Sequence, residues 1–220
     1  AEKQYTKIIN FSTIFGFMTD VLTKTHPSIN AAYQASEVPV GASVTSVYNK
    51  LNGIEPQLFA KLVNFSSHQA MQVINQLGGS SPNWIPGWNI RILDGNALGS
   101  REHRLGEFRN DAAAPLPGKA LVVFDPITGL MTHLFPSEDA YTQERAMLAD
   151  VIDVIRPNEL WIADRNFCTL NFLTALSPKS GAAALIRYHN QLPFTPLSPL
   201  IHAGRVENGD VYEQEIDLHR

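Results

Sequence analysis

Apolar side chains recur every three or four residues through the first 80 positions of the chain, the spacing of amphipathic helices. Serine is a good helix N-cap, and Gly78-Gly79 is a typical helix end. The pattern predicts four helices, over 4–23, from Ser28, over 43–51 and over 56–77. The first 80 residues are therefore predicted to form a helical region.

The pattern changes after the turn-rich segment GGSSPNWIPGWN (78–89). Short apolar runs typical of strands now alternate with helical spacing. Three single strands are predicted, over 89–95, 160–163 and 182–188. A hairpin of two further strands is predicted within 118–136, with its turn at 125–129. The predicted helices are 138–155 and 167–176. This order indicates a mixed sheet with helices packed on it.

The last segment, 190–220, is rich in turns and then alternates in VYEQEIDLHR. Residues 212–218 are predicted to form one half-buried antiparallel strand, the start of a β-rich segment. The chain has no initiator Met and stops inside this alternating pattern. We interpret it as a fragment of a longer protein.

Composition narrows the class of protein. One cysteine among 220 residues excludes an internal disulfide framework and an all-cysteine metal site, and indicates a reducing compartment. No apolar run approaches the roughly 20 residues that cross a bilayer. The net charge of -4 does not favour a nucleic-acid partner. A local concentration of positive charge nevertheless occurs at Arg101, Arg104 and Arg109, called the arginine cluster below.

Two aspartates share the same local setting. Asp94 follows the apolar run IRIL, and Asp164 follows LWIA. An aspartate at the end of a strand buried on both faces lies where the core meets solvent. Two such strands side by side would bring the carboxylates together, and a cation would relieve their repulsion. Their oxygens suit Mg²⁺ or Mn²⁺, whereas the structural alternative is that each aspartate caps the next turn.

The order of elements, with an aspartate on the first strand and another at the fourth, resembles the ribonuclease H-like fold of DDE transposases. The chain is more closely similar to the insertion-sequence transposases of the cut-and-paste branch. LDGNAL (93–98) and IADRNF (162–167) look like the first and second carboxylate motifs of that family. PSINAAYQ (27–34) and VYNKLNG (47–53) look like the helical region before its catalytic core. The similarity extends over most of the chain.

The resemblance implies an α/β fold in three parts: a helical N-terminal region (1–80), the first part of a ribonuclease H-like catalytic core with a mixed sheet and flanking helices (81–189), and the beginning of a β-rich insertion (190–220). The family's third carboxylate is a glutamate within Tyr-x2-Arg-x3-Glu-x6-Lys. It is absent, since neither Tyr188 nor Tyr212 has an arginine three residues on. We therefore expect this chain to end before that glutamate and to be inactive alone.

The resemblance also implies a function. The chain would belong to a DNA transposase that cleaves transposon-end DNA and transfers the strand, with Asp94 and Asp164 as catalytic residues and ligands of Mg²⁺ or Mn²⁺. Double-stranded DNA of the transposon ends and target would be its partner. The full-length protein would be a homodimer in the cytoplasm, associated with the nucleoid and not with a membrane.

Other residues near the two aspartates have two interpretations each. The arginine cluster either binds DNA phosphates or lies in a solvated loop where it pairs with Glu102 and Glu107. Arg165 either contacts DNA or neutralises Asp164, and Asn166 either contacts the nucleic acid or caps a turn.

Two other functions stay open: a ribonuclease H-like nuclease without strand transfer, and a catalytically inactive remnant that binds DNA or partner chains. Cys168, which begins an apolar helix, is expected to be a buried thiol. Glu144, Asp150 and Asp153 are expected to form a solvated acidic helix face.

Overall fold

The structure, a computed structural model, describes residues 8–36, 40–79, 81–97, 118–137, 142–176 and 181–218. The chain divides into two compact units, Ala1–Phe59 with Ser100–Leu116 and Ala60–Gly99 with Pro117–Arg220. The three-part division at residues 80 and 189 stays a prediction.

The described part of the first unit is helical. Its helices are α1 (Phe11–Leu22), α2 (Ile29–Gln34), α3 (Val44–Asn52) and the first turn of α4 (Pro56–Gln76). The side chains of Asn10, Ser28 and Ser43 accept hydrogen bonds from backbone N–H groups of the first turns of α1, α2 and α3, so polar caps set all three starts. The helices bury a small apolar core of Ile9, Ile14, Phe17, Ala32, Val47 and Ile54.

The second unit contains a five-stranded mixed sheet in the order β3-β2-β1-β4-β5. The strands are β1 (Asn89–Ala97), β2 (Lys119–Asp125), β3 (Leu130–Ser137), β4 (Glu159–Ala163) and β5 (Ala183–Ile186). β1, β2 and β3 pair antiparallel, whereas β4 lies parallel to both β1 and β5. This mixed sheet is the one that the sequence predicts, and it is consistent with a ribonuclease H-like core. The α/β fold class is confirmed.

Short helices pack on one face of this sheet. A 3₁₀ helix (Glu144–Met147) leads into α5 (Leu148–Ile152), a second 3₁₀ helix is Arg165–Phe167, and α6 is Leu170–Ala175. Their apolar side chains and those of the sheet form one core, in which Trp161 and Phe172 meet edge to face with ring centroids 6.2 Å apart. The helix in the structure is shorter than the one predicted over 138–155. Its backbone is helical from Glu144 to Ile152, and residues 138–141 lie outside the described ranges.

The segment after β5 is β-rich, as predicted. β6 (Phe194–Pro196) pairs with β9 (Ile216–Leu218), and β7 (Ile201–Val206) pairs with β8 (Gly209–Glu213), both antiparallel. The prediction of one strand over 212–218 is wrong, because the chain changes partner between Glu213 and Ile216. There, the side chain of Gln214 and the backbone of Glu215 hydrogen-bond to Ser198.

A buried charged cluster joins the three central strands. The Arg91 guanidinium on β1 lies 3.0 Å from Asp125 Oδ2 on β2 and 3.0 Å from Glu159 Oε1 on β4. Glu159 Oε2 also accepts hydrogen bonds from the Arg156 backbone N–H and the Trp161 indole. These contacts help to fix the register of β1 against both neighbours.

Candidate metal site

Asp94 lies inside strand β1 and not at its end. β1 continues for three more residues, to Ala97, paired with β2. The prediction that Asp94 is the last residue of its strand is therefore wrong, because pairing with β2 keeps the backbone extended beyond it. The parallel pairing with β4, in contrast, ends at Leu93↔Ala163. Asp94 is thus the first residue of β1 beyond that pairing.

Asp164 occupies the matching position after β4. The next step of the parallel register beyond Leu93↔Ala163 places Asp94 opposite Asp164. The backbone of Asp164 is still extended, with φ −75° and ψ 174°. Neighbouring strands lie about 4.8 Å apart, so the two aspartates are neighbours across the sheet.

The two aspartates also share one face of the sheet. Successive side chains of a strand point to opposite faces. Leu93 and Ala163, the residues before the aspartates, pack into the core beneath the helices. Asp94 and Asp164 therefore belong to the opposite face, and both are exposed. The backbone register therefore places Asp94 and Asp164 next to each other, and their joint role as metal ligands stays a prediction.

Each carboxylate makes a local hydrogen bond through one oxygen. Asp94 Oδ1 accepts from the Gly95 backbone N–H at 2.9 Å, and Asp164 Oδ1 accepts from the Asn166 backbone N–H at 2.8 Å. Asp164 is the N-cap of the 3₁₀ helix, so the capping role that the sequence left open is present. Within the described ranges, neither Oδ2 atom has a hydrogen-bond partner.

Glu144 contacts Gly95 and Asn166, one near each aspartate, and the sequence did not predict these contacts. Its Oε2 accepts a hydrogen bond from Asn166 Nδ2 at 2.6 Å. A Cβ added at Gly95 would lie 2.6 Å from Glu144 Cδ, so the Glu144 carboxyl occupies the space that a side chain at position 95 would need. The expectation that Glu144 belongs to a solvated face is wrong, because this side chain is half-buried. Only the glycine after Asp94 hints at such a contact in the sequence.

Glu144 lies on the helix-covered face of the sheet. Gly95 follows Asp94, so its missing side chain belongs to the face that carries Leu93. The neighbouring Arg145 also contacts this region, with Nε 2.7 Å from the Asn166 carbonyl oxygen. Of the residues that the structure describes, no three histidine, cysteine, aspartate or glutamate side chains are grouped to hold a metal ion. The contacts of Glu144 are with the backbone position of Gly95 and with the side chain of Asn166.

The predicted DNA contacts are only partly described. The arginine cluster lies outside the described residues. Arg165 is exposed, and its guanidinium forms no ion pair with any carboxylate of the described ranges. Its predicted choice between DNA contact and neutralisation of Asp164 stays a prediction. The Asn166 side chain is held by Glu144, and its backbone N–H is bonded to Asp164, so this residue forms the turn in the structure.

Other chemically active side chains have structural surroundings. Cys168 is buried, as expected. Asp150 and Asp153 are exposed, in agreement with a solvated helix face. His133 on β3 stacks on Phe135 with ring centroids 6.2 Å apart. Burial, and to a smaller extent the charges of Arg91 and Arg156, lower the pKa of His133 below 6.5.

Comparisons with known proteins find similarity among solved structures alone. No protein-family profile matches the chain. No curated protein sequence matches it either. A piggyBac transposase, solved by cryo-EM as a synaptic complex with hairpin DNA, is similar to it with a TM-score of 0.39 and 15% identity. The match covers 86% of this chain and 46% of that chain, so this chain spans about half the length of that transposase. With a TM-score this low, the sheet topology remains the evidence for the fold.

Across the described part of the chain, no helix combines the length and apolar character needed to cross a membrane.

Proposed function

We propose that the second unit is the metal-binding part of a DDE transposase core of the insertion-sequence, cut-and-paste type. The observation that supports this most strongly is the placement of Asp94 and Asp164 in one register position, on one face of two parallel strands. The substrate would be double-stranded DNA, and the reactions would be hydrolysis of a phosphodiester at a transposon end and strand transfer.

The residues at this position fit a hard divalent cation. Mg²⁺ and Mn²⁺ prefer oxygen ligands, and each aspartate keeps an Oδ2 atom without a partner in the described ranges. The two side chains are exposed, so the nucleic acid has access to them. When bound, the cation would supply Lewis acidity toward the attacking and leaving oxygens of a phosphodiester.

The chain's own residues would divide the remaining work. Asp94 and Asp164 would hold the cation, and the hydrogen bonds of their Oδ1 atoms to the backbone would keep each carboxylate oriented. The arginine cluster and Arg165 bind phosphates of the DNA backbone, because guanidinium groups pair well with phosphate oxygens.

The test is Mn²⁺ binding by the whole 220-residue chain, measured by isothermal titration calorimetry. Replacing a residue that only supports a metal ligand costs about 10–100-fold in affinity, so loss of a ligand in Asp94→Asn or Asp164→Asn should weaken binding at least about tenfold. Asp150→Asn is the matched control, since it removes an exposed aspartate from α5. Equal affinity in all four proteins would refute the proposed site.

DNA cleavage gives a second test. With two carboxylates and no third one grouped with them in the described residues, we expect the chain to bind Mn²⁺ without cleaving DNA. Mg²⁺-dependent cleavage of double-stranded DNA by this chain, abolished by Asp94→Ala, would support the metal site but contradict the expected inactivity.

A further inference from the structure

Glu144 contacts both segments that carry the aspartates, β1 beside Asp94 and the turn after Asp164. On one side, its carboxyl lies against Gly95, whose backbone N–H donates to Asp94 Oδ1. On the other side, Glu144 Oε2 accepts from Asn166 Nδ2, and the Asn166 backbone N–H donates to Asp164 Oδ1. One side chain therefore contacts the neighbour of each aspartate.

From this geometry we infer that Glu144 is a positioning residue. It holds the turn after Asp164 against β1 and so sets the spacing of the two carboxylates. Its effect on metal binding rests on the function proposed above. Arg145 strengthens the same contact through its bond to the Asn166 carbonyl oxygen. Contacts behind a metal ligand orient it, and such residues influence affinity without touching the metal.

The position of Glu144 distinguishes this role from that of a third ligand. The aspartates belong to one face of the sheet, and the Glu144 carboxyl fills the space above Gly95 on the other face. No metal-sized group of three carboxylates forms in the described part of the chain. Glu144 therefore acts through the backbone around Gly95 and Asn166.

The geometry also explains why position 95 has no side chain. A Cβ there would come within 2.6 Å of Glu144 Oε1, which forces the end of the glutamate side chain to move. Gly95→Ala should therefore displace the Glu144 carboxyl and break its bond to Asn166. In a chain that already carries Glu144→Ala, the same substitution meets no carboxyl and should have little further effect.

The first experiment uses the metal-free chain and compares backbone amide resonances by NMR. Gly95→Ala and Glu144→Ala should shift the resonances of Asp164 and Asn166 in the same direction, and the double variant should match Glu144→Ala. Gln143→Ala, at the exposed residue next to Glu144, is the control and should leave them in place. Independent, additive shifts of the two substitutions would overturn the inference.

The second experiment measures Mn²⁺ affinity of the same proteins and of Glu144→Gln. A glutamine keeps a carbonyl oxygen that can accept from Asn166, so this variant should bind within about twofold of the original chain. Glu144→Ala should bind about tenfold more weakly, as expected when a residue that supports a metal ligand is removed. Reduced affinity in both variants would show that the charge itself is needed, and unchanged affinity in Glu144→Ala would show no positioning; either result overturns the inference.

The two experiments keep the two proposals separate. If the original chain binds no Mn²⁺, the proposed metal function fails, and the metal-free resonances still decide whether Glu144 positions the turn. If Mn²⁺ binds at Asp94 and Asp164 but the double variant behaves additively, the positioning role fails and the metal site stands.

Discussion

The buried Arg91 cluster allows a quantitative prediction for Arg91→Met. The arginine side chain is 19% exposed, and the Asp125 and Glu159 side chains that it contacts are 7% exposed each. Methionine retains an apolar stem of similar length but cannot donate hydrogen bonds. Two buried carboxylates would then lose their shared cation.

The expected cost follows from what each carboxylate retains. Removing one partner of a buried ion pair costs roughly 3–5 kcal/mol, because a buried charge is left uncompensated. Asp125 keeps hydrogen bonds from two backbone N–H groups, those of Ile127 and Thr128. Glu159 likewise keeps two donors, the Arg156 backbone and the Trp161 indole. We therefore expect the lower end of the range, about 3 kcal/mol.

The assay is urea unfolding followed by tryptophan fluorescence, since the buried Trp161 adjoins the cluster. Arg205→Met on β7 is the matched control, because Arg205 is exposed and substitutions at such sites usually change stability by less than about 0.5 kcal/mol. A decrease in stability below about 1 kcal/mol for Arg91→Met would contradict the reasoning, since it would mean that the retained donors suffice for both carboxylates.

Two further predictions concern pH and salt. The pKa of His133 is lowered in the folded state. Below pH 6.5 the unfolded chain therefore takes up a proton that the folded chain does not, and the free energy of unfolding falls as the pH decreases toward the folded pKa. Urea unfolding of His133→Gln between about pH 5 and 7.5 should show a flatter pH dependence than the original chain, and parallel curves would exclude this origin. Replacing the arginine cluster by alanines should weaken the salt dependence of DNA binding, measured by fluorescence anisotropy. The slope of log K against log salt concentration should become smaller by about 0.9 for each DNA phosphate that the protein no longer neutralises. An unchanged slope would favour the solvated loop, and Lys24, Lys61 and Arg205 replaced together provide the charge-matched control.

The sequence predicts the sheet well because local patterns determine most of it. Continuous apolar runs mark the buried strands. Asp94 and Asp164 directly follow such runs and are exposed, whereas Asp125 follows the run of β2 and is buried and paired with Arg91. The juxtaposition of Asp94 and Asp164 needs only one more step, that these two strands are parallel neighbours. The alternation of strands and helices supplies that step.

Tertiary contacts explain what the sequence does not predict. Glu144 precedes an amphipathic helix and has the polarity of a solvated residue, so only the folded chain reveals its contact with Gly95 and Asn166. The end of β8 is similar: the alternation of residues 212–218 continues through Gln214, but the bonds to Ser198 direct the chain to another partner strand. Pairings between distant residues leave no periodic signal.

The two ends of the β1–β4 pairing show why the exposed aspartates need a functional explanation. At one end, Glu159 and Asp125 lie on either side of β1, and Arg91 neutralises both. At the other end, Asp94 and Asp164 face each other across the register, and no arginine of the described residues pairs with either. Like charges directly opposite each other destabilise a sheet. β1 carries an arginine where the neighbouring carboxylates of Asp125 and Glu159 are buried, and none beside Asp94 and Asp164, which agrees with the cation site proposed above.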